Sequence, residues 1–240
     1  MCGRWPLPAM RLRCGWSYVR GMTNTASMEL QASPPSGAWL RIMARVYDPF
    51  VWLGELAGMR SRRSVLVGNA RGRVVEIGAG TGLNVAHYPD EITELVLTEP
   101  DAAMRRRLAR RLQRDGRGAR IVDAPAERLP LADASVDTVV STLVLCTVND
   151  PERTLGEIAR VLRPDGQLLF IEHVRASSRF LAACQDYLLR PWRSFAGGCH
   201  CNRATVELMR ACGFTIAADE DVWRGMPTIV HPLILGRATP

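Results

Sequence analysis

From about residue 73 onward, short runs of β-branched and aliphatic residues alternate with amphipathic stretches of helical length. That alternation predicts a β/α chain with a largely parallel sheet. Val74, Val75 and Ile77 form the first strand, and residues 95–98 the second. A helix through Arg114 follows, with Met104, Leu108 and Leu112 on one face. Residues 119–123 and 136–141 read as the third and fourth strands. Asn149-Asp150-Pro151 opens a helix to Leu162 that buries Leu155, Ile158, Ala159 and Leu162. After a turn at 163–166, residues 167–171 make the fifth strand. A helix over 205–212 ends at Gly213, and residues 215–218 and 228–235 are the last two strands. Upstream, the spacing of Leu40, Met43, Val46, Phe50, Val51, Leu53 and Leu56 predicts two helices within 38–63, broken at Tyr47-Asp48-Pro49-Phe50. Residues 1–36 end in Ser-Pro-Pro-Ser-Gly and read as a poorly ordered extension. The tract 176–203 is long for a connection and predicts a lid carrying its own helix near 181–189.

The first strand runs directly into three glycines at alternate positions, Gly78, Gly80 and Gly82. Glycine there admits positive φ and lets a ligand approach the backbone. With no breaker until Pro89, residues 83–88 are expected to start a helix whose free N–H groups face the loop. Glu99 closes the second strand about 20 residues beyond the loop, where a carboxylate can accept from both hydroxyls of a ribose. Asp101 suits the N-terminus of the next helix instead. His173 ends the fifth strand and is the best-placed titratable group at that edge.

Composition narrows the chemistry. All 31 basic residues are arginine, which excludes a lysine nucleophile or Schiff base. The net charge of +7 is concentrated at Arg105, Arg106, Arg107, Arg110, Arg111 and Arg114, a solvated helix face without interleaved aromatics, so no nucleic-acid partner is expected. Seven cysteines without a C-x-x-C pair point to reduced thiols and a cytoplasmic setting. No uncharged run reaches the roughly 18 residues of a membrane span. The first 28 residues carry arginines but no apolar core of a signal peptide, and Met22 and Met28 stand as alternative starts. Phe50 and Trp52 on a basic segment leave peripheral contact with a membrane open. Cys199, His200 and Cys201 lie too close together to fill one tetrahedral site, so no metal is expected and the stretch reads as a pocket loop.

The glycine spacing is E-x-G-x-G-x-G, not G-x-G-x-x-G, which would need glycine where Leu83 stands. With Glu76, Glu99, S-T-L-V-L-C-T-V at 141–148, R-V-L-R-P at 160–164 and F-I-E-H-V at 170–174, the chain resembles the class I S-adenosylmethionine (SAM) methyltransferases. Within them it is most similar to the methyltransferase-like thiol S-methyltransferases and their bacterial relatives. The resemblance covers roughly residues 47–237. It implies a domain over 37–240 with a Rossmann-like, seven-stranded, mostly parallel sheet, helices on both faces and an antiparallel last strand. It implies SAM as cofactor, held by Glu76, Gly78, Gly80, Gly82, Glu99, Pro100, Ala126, Glu127, Thr142 and Leu143, beneath N-terminal helices at 37–70. Residues 123–131 would wrap the adenine; Pro125 stands where the family often has Asp or Asn, leaving the Ala126 backbone with Glu127 or Asp123. His173 would be catalytic, in an apolar pocket of Phe50, Trp52, Leu145, Cys146, Tyr187, Trp192 and His200. Vertebrate members begin with a hydrophobic membrane anchor that is not read here. The expected acceptor is a small hydrophobic thiol, with phospholipid head-group, quinone and phenol acceptors as alternatives. Leu83 and the lack of a Tyr-x-x-x-Lys pair weigh against a nicotinamide-dependent oxidoreductase; a non-catalytic SAM-fold binding protein is the remaining reading. The partner is a small-molecule acceptor, and the sequence leaves the oligomeric state open.

Overall fold

A computed structural model describes residues 37–240, so the expected extension at 1–36 lies outside the described residues. Seven strands make one sheet in the order β3-β2-β1-β4-β5-β7-β6. They are β1 (Arg73–Ile77), β2 (Glu94–Thr98), β3 (Arg120–Val122), β4 (Val136–Thr142), β5 (Leu162–His173), β6 (Thr215–Val222) and β7 (Pro232–Thr239). The first five are parallel, and β7 runs antiparallel between β5 and β6. Successive strand residues serve opposite faces. Val75, Val139, Leu168 and Phe170 pack with α4 (Pro151–Val161) and α6 (Thr205–Ala211). Val74, Val140, Leu169 and Ile171 pack with α2 (Arg60–Val67) and α3 (Ala102–Asp115). Burial on both faces explains why these strands read as continuous apolar runs. Each fully buried Leu, Ile or Phe contributes about 1.5–3 kcal/mol.

Local capping agrees with the sequence. Asp101 caps α3, accepting from the N–H groups of Ala103 and Met104 at 2.8 Å, and Gly116 ends it in the left-handed conformation. Asp150 caps α4 ahead of Pro151. Residues 163–166 do turn outward, as a bulge inside β5 where the register with β4 shifts. β7 starts only at Pro232, because 228–230 wind into a 3-10 turn.

Two elements differ from expectation. The first helix, α1 (Gly37–Gly54), passes through 47–50 without breaking. Pro49 stays exposed within it, so the missing N–H is lost on the solvent side. The break comes at Gly58, whose φ of 118° is cheap only for glycine. After the glycine loop there is no α-helix, only a 3-10 turn at Val85–His87. Asn84 and Tyr88 turn their side chains inward to buried partners, which spends the residues a helix would have presented outward.

Candidate active site at the ends of the parallel strands

The loop after β1 has positive φ at all three glycines. A Cβ on Gly82 would stand 2.6 Å from Leu108 and one on Gly78 2.8 Å from Val144, so these two let the loop pack. A Cβ on Gly80 would find nothing nearer, among the described residues beyond its chain neighbours, than the Gly78 carbonyl oxygen at 3.9 Å. The backbone there is open to an incoming group.

Glu99 is buried at the end of β2, and its two oxygens accept from the N–H groups of Gly80 and Asp101, both at 2.8 Å. Burial raises its pKa, while those two N–H groups oppose the rise. Each carboxylate oxygen keeps a second lone pair. The arrangement joins the glycine loop, β2 and α3 through one anion beside the open face of Gly80. Pro100 follows, exposed. The Arg105 side chain donates to the Glu99 carbonyl and pairs with Asp123.

Glu76 lies under the loop rather than in it. It is buried and accepts from Asn84 Nδ2 at 2.9 Å and Tyr88 Oη–H at 2.6 Å. Burial pushes its carboxyl up to about 7 despite those hydrogen bonds. Asn84 also donates to Thr142 Oγ1 at 2.9 Å and accepts from Arg63, which in turn holds Glu55. Arg63, Asn84 and Tyr88 carried no signal in the sequence, since each lies outside any motif. α1 is fastened to the loop by Asp48, which accepts from Thr81 Oγ–H and pairs with Arg111, both at 2.6 Å.

On the 123–131 segment, Ala126 is buried and Glu127 accepts from the Asn149 N–H at 3.2 Å. After β4, Leu143 takes a φ of 61°, a conformation that costs a branched residue of order 1–3 kcal/mol. Glu172 supports the segment beyond it. Its fully buried carboxylate accepts from Ser141 Oγ–H at 2.7 Å and from the N–H groups of Val144, Leu145 and Cys146 at 3.0–3.1 Å. Sequence reasoning did not single out this residue, although its place beside His173 at the strand end was visible.

His173 is buried, with Nδ1 3.5 Å from Cys146 Sγ and 3.4 Å from Cys199 Sγ. The two sulfurs are 3.8 Å apart. Trp223 stacks on the imidazole with centroids 5.5 Å apart, and His173 Nε2 has no hydrogen-bond partner among the described residues. The hydrogen bond to Cys199, followed by burial, raises the Cys146 thiol well above its ordinary pKa. The stretch 199–201 by itself is too compact to fill a tetrahedral site. Of that stretch Cys199 alone joins the cluster, and the other two groups come from β5 and the segment after β4.

The expected acceptor pocket divides. Trp192, Cys146, Cys199, Cys201 and Val230 form one buried cluster with Phe50 and Leu143 against it. Tyr187, 85% exposed, and Trp52, 61% exposed, lie on the outer surface: on α5 (Arg179–Phe195) and α1 they occupy positions turned away from the sheet. Leu145 belongs to the main core. His200 is half-buried; its N–H donates to the Cys146 carbonyl at 2.7 Å, and burial with nearby Arg203 and Arg193 lowers its ring pKa to about 4. The tract 176–203 is tied down by Gln185, which accepts from the Ala176 N–H and donates to the carbonyls of Val174, Cys201 and Ile229. Among the described residues no helix is long and apolar enough to cross a membrane.

Three comparisons bear on this geometry. The sequence profile of the family described as Methyltransferase domain matches residues 75–170. Thiol S-methyltransferase TMT1B of Rattus norvegicus is 34% identical over 240 aligned residues, covering 97% of this chain and 92% of the rat protein. The Homo sapiens TMT1B is 38% identical over 179 residues, 70% of this chain and 72% of its own. Among solved structures, a SAM-dependent methyltransferase of Thermotoga maritima, described as a possible histamine N-methyltransferase, superposes with a TM-score of 0.61 at 23% identity, over 84% of this chain and 98% of that one; this is a likeness of fold.

Proposed function

The chain belongs to the SAM-dependent methyltransferases, and from that premise we propose that it methylates a small hydrophobic thiol. Family membership sets aside the nicotinamide-dependent reading. The observation that carries the thiol assignment is where the similarity lies. The methyltransferase profile stops at residue 170, yet the alignment with the rat thiol S-methyltransferase covers 97% of the chain and so extends into the segments that build the acceptor side. Those segments contribute Trp192, Cys199 and Val230 to an apolar cluster suited to an alkyl or aryl sulfur compound.

The open face of Gly80 and the Glu99 carboxylate beside it fit a nucleoside with a vicinal diol. In this reading Gly78, Gly80 and Gly82 shape the cradle, Glu99 accepts from the ribose hydroxyls, and Ala126 with Glu127 flanks the adenine. Thr142 and Leu143 lie along the methionine half. Glu76 acts from beneath, setting Asn84 and hence Thr142 in place. Bound SAM supplies a methyl group on a sulfonium sulfur, whose departure as a neutral thioether needs no acid. What remains for the protein is to align the nucleophile, exclude water and take a proton from it. A thiol has an ordinary pKa of about 8.5, so modest assistance suffices. His173, the buried imidazole at this edge, is assigned to activating the thiol.

The test is incubation of the full chain with methyl-labelled SAM and a panel of alkyl thiols, phenols, amines and phosphatidylethanolamine. Label on the thiols supports the reading. Label confined to another acceptor overturns it, and label on none with SAM bound would leave a binding protein.

A further inference from the structure

We infer that Cys146 Sγ, His173 Nδ1 and Cys199 Sγ hold one thiophilic divalent cation, zinc by chemistry, and leave a fourth coordination position for the sulfur of the acceptor. Zinc binds thiolate at about 2.3 Å and imidazole at about 2.0–2.1 Å in a tetrahedron, whose edges are therefore about 3.8 Å from sulfur to sulfur and about 3.5 Å from sulfur to nitrogen. The three separations here are 3.8, 3.5 and 3.4 Å. All three edges of one tetrahedral face fit the same ion.

The surroundings fix that face. Glu172 holds the N–H of Cys146 together with those of the two residues before it, Val144 and Leu145. The loop bearing Cys199 is bonded to the same residue through His200 N–H and the Cys146 carbonyl. Trp223 sets the plane of the His173 ring. Arg203 donates to the Leu145 and Val148 carbonyls, which brings a fixed cation alongside the two sulfurs. Two thiols and an imidazole are weak hydrogen-bond partners for one another, and all three are buried, so as a purely structural cluster they would stabilise little. As ligands they neutralise a dication with two thiolates.

Among the described residues no fourth Cys, His, Asp or Glu joins the group. Three protein ligands with a free position is the arrangement of reactive zinc sites, whereas closed structural sites use four. The cluster borders Leu143 and Phe50, the residues assigned to the donor and acceptor sides. The assignment of the fourth position to a thiol rests on the function proposed above. A thiol bound there loses its proton to solvent on coordination, and His173 activates it through the ion rather than as a free base.

Metal content and cobalt substitution of the full chain test this. Protein produced with zinc and dialysed should carry about one zinc per chain. Replacement by cobalt should give thiolate-to-cobalt charge-transfer absorption with the intense visible bands of a tetrahedral site, and adding an alkyl thiol should shift those bands. Cys146→Ser and Cys199→Ser should lower metal affinity by at least about 10-fold, while Cys184→Ser should not. Because a buried substitution can unfold the chain, the cobalt spectrum of the unaltered protein is the deciding measurement. Folded protein that binds S-adenosylhomocysteine yet gives no charge-transfer band overturns the metal site, whether or not thiols are methylated. Bands that ignore thiol overturn the fourth-position assignment. Bands with a thiol shift but without methyl transfer to any thiol uphold the site and count against the proposed function alone.

Discussion

Glu76 offers the sharpest quantitative test. It sits in the core below the glycine loop, bonded to Asn84 and Tyr88, with its carboxyl carried from an ordinary 4.5 to about 7 by burial. The sign follows from which state holds the proton. Between pH 4.5 and 7 the unfolded chain has lost it and the folded chain retains it, so stability falls as pH rises through that window. Below 4.5 the contribution is fully present, and above about 7 it is gone. At about 1.4 kcal/mol per pH unit the total is about 3 kcal/mol, a large share of a normal domain's stability. Glu76→Gln keeps an acceptor for Asn84 and a polar partner for Tyr88 but cannot ionise. Urea unfolding of both proteins from pH 4.5 to 8 gives a difference in which all other titrations cancel. The expected difference moves by about 3 kcal/mol in favour of the glutamine variant as pH rises. A difference that is flat, or that moves the other way, would refute the account of Glu76 as a carboxyl held neutral by burial.

Other substitutions probe the cradle. Glu99→Gln sets an amide N–H₂ against one of two backbone N–H groups and removes a charged acceptor worth about 1.5–3 kcal/mol, so calorimetry should show S-adenosylhomocysteine binding weakened about 10- to 100-fold. Gly78→Ala forces a Cβ at positive φ to within 2.8 Å of Val144 and should lower stability by about 2 kcal/mol or more, read by thermal unfolding. Asp48→Ala frees α1 from Thr81 and Arg111, and should raise the SAM dissociation constant while leaving the melting temperature of the sheet within a few degrees. Ile42, Val46, Trp52 and Leu53 are exposed along α1 and Leu56 just beyond it, so anionic vesicles should enhance or blue-shift tryptophan fluorescence in the unaltered protein and not in Trp52→Ala; fluorescence of the unaltered protein that ignores vesicles would remove peripheral membrane contact.

The central strands β1, β2, β4 and β5 were legible because both their faces are buried, which leaves a nearly uninterrupted apolar signal. Asp101 and Asp150 likewise act through local backbone chemistry that a window of a few residues contains. The failures share the opposite property. Leu83–Tyr88 has no breaker and still forms no helix, because Asn84 and Tyr88 are claimed by Glu76 across the turn. α1 tolerates Pro49 and breaks at Gly58, a choice set by where the chain must bend over the sheet. Tyr187 and Trp192 are five residues apart on one helix, and only packing separates the exposed ring from the buried one. The pairing of Cys146, His173 and Cys199 spans more than fifty residues, so no local spacing could announce it.

Gly58 has a mechanical consequence. The backbone leaves helical φ/ψ there, between α1 and α2, so the chain changes direction at a position that glycine fills at least cost. The anchors of α1 include Asp48 at the loop and Gly54, which lies so close to the Trp223 indole that an added Cβ would come within 2.5 Å of its nitrogen. Because Trp223 is the ring stacked on His173, a side chain added at Gly54 would press on the wall behind that imidazole. The contact at Gly54 thereby couples the position of α1 to the seating of that ring.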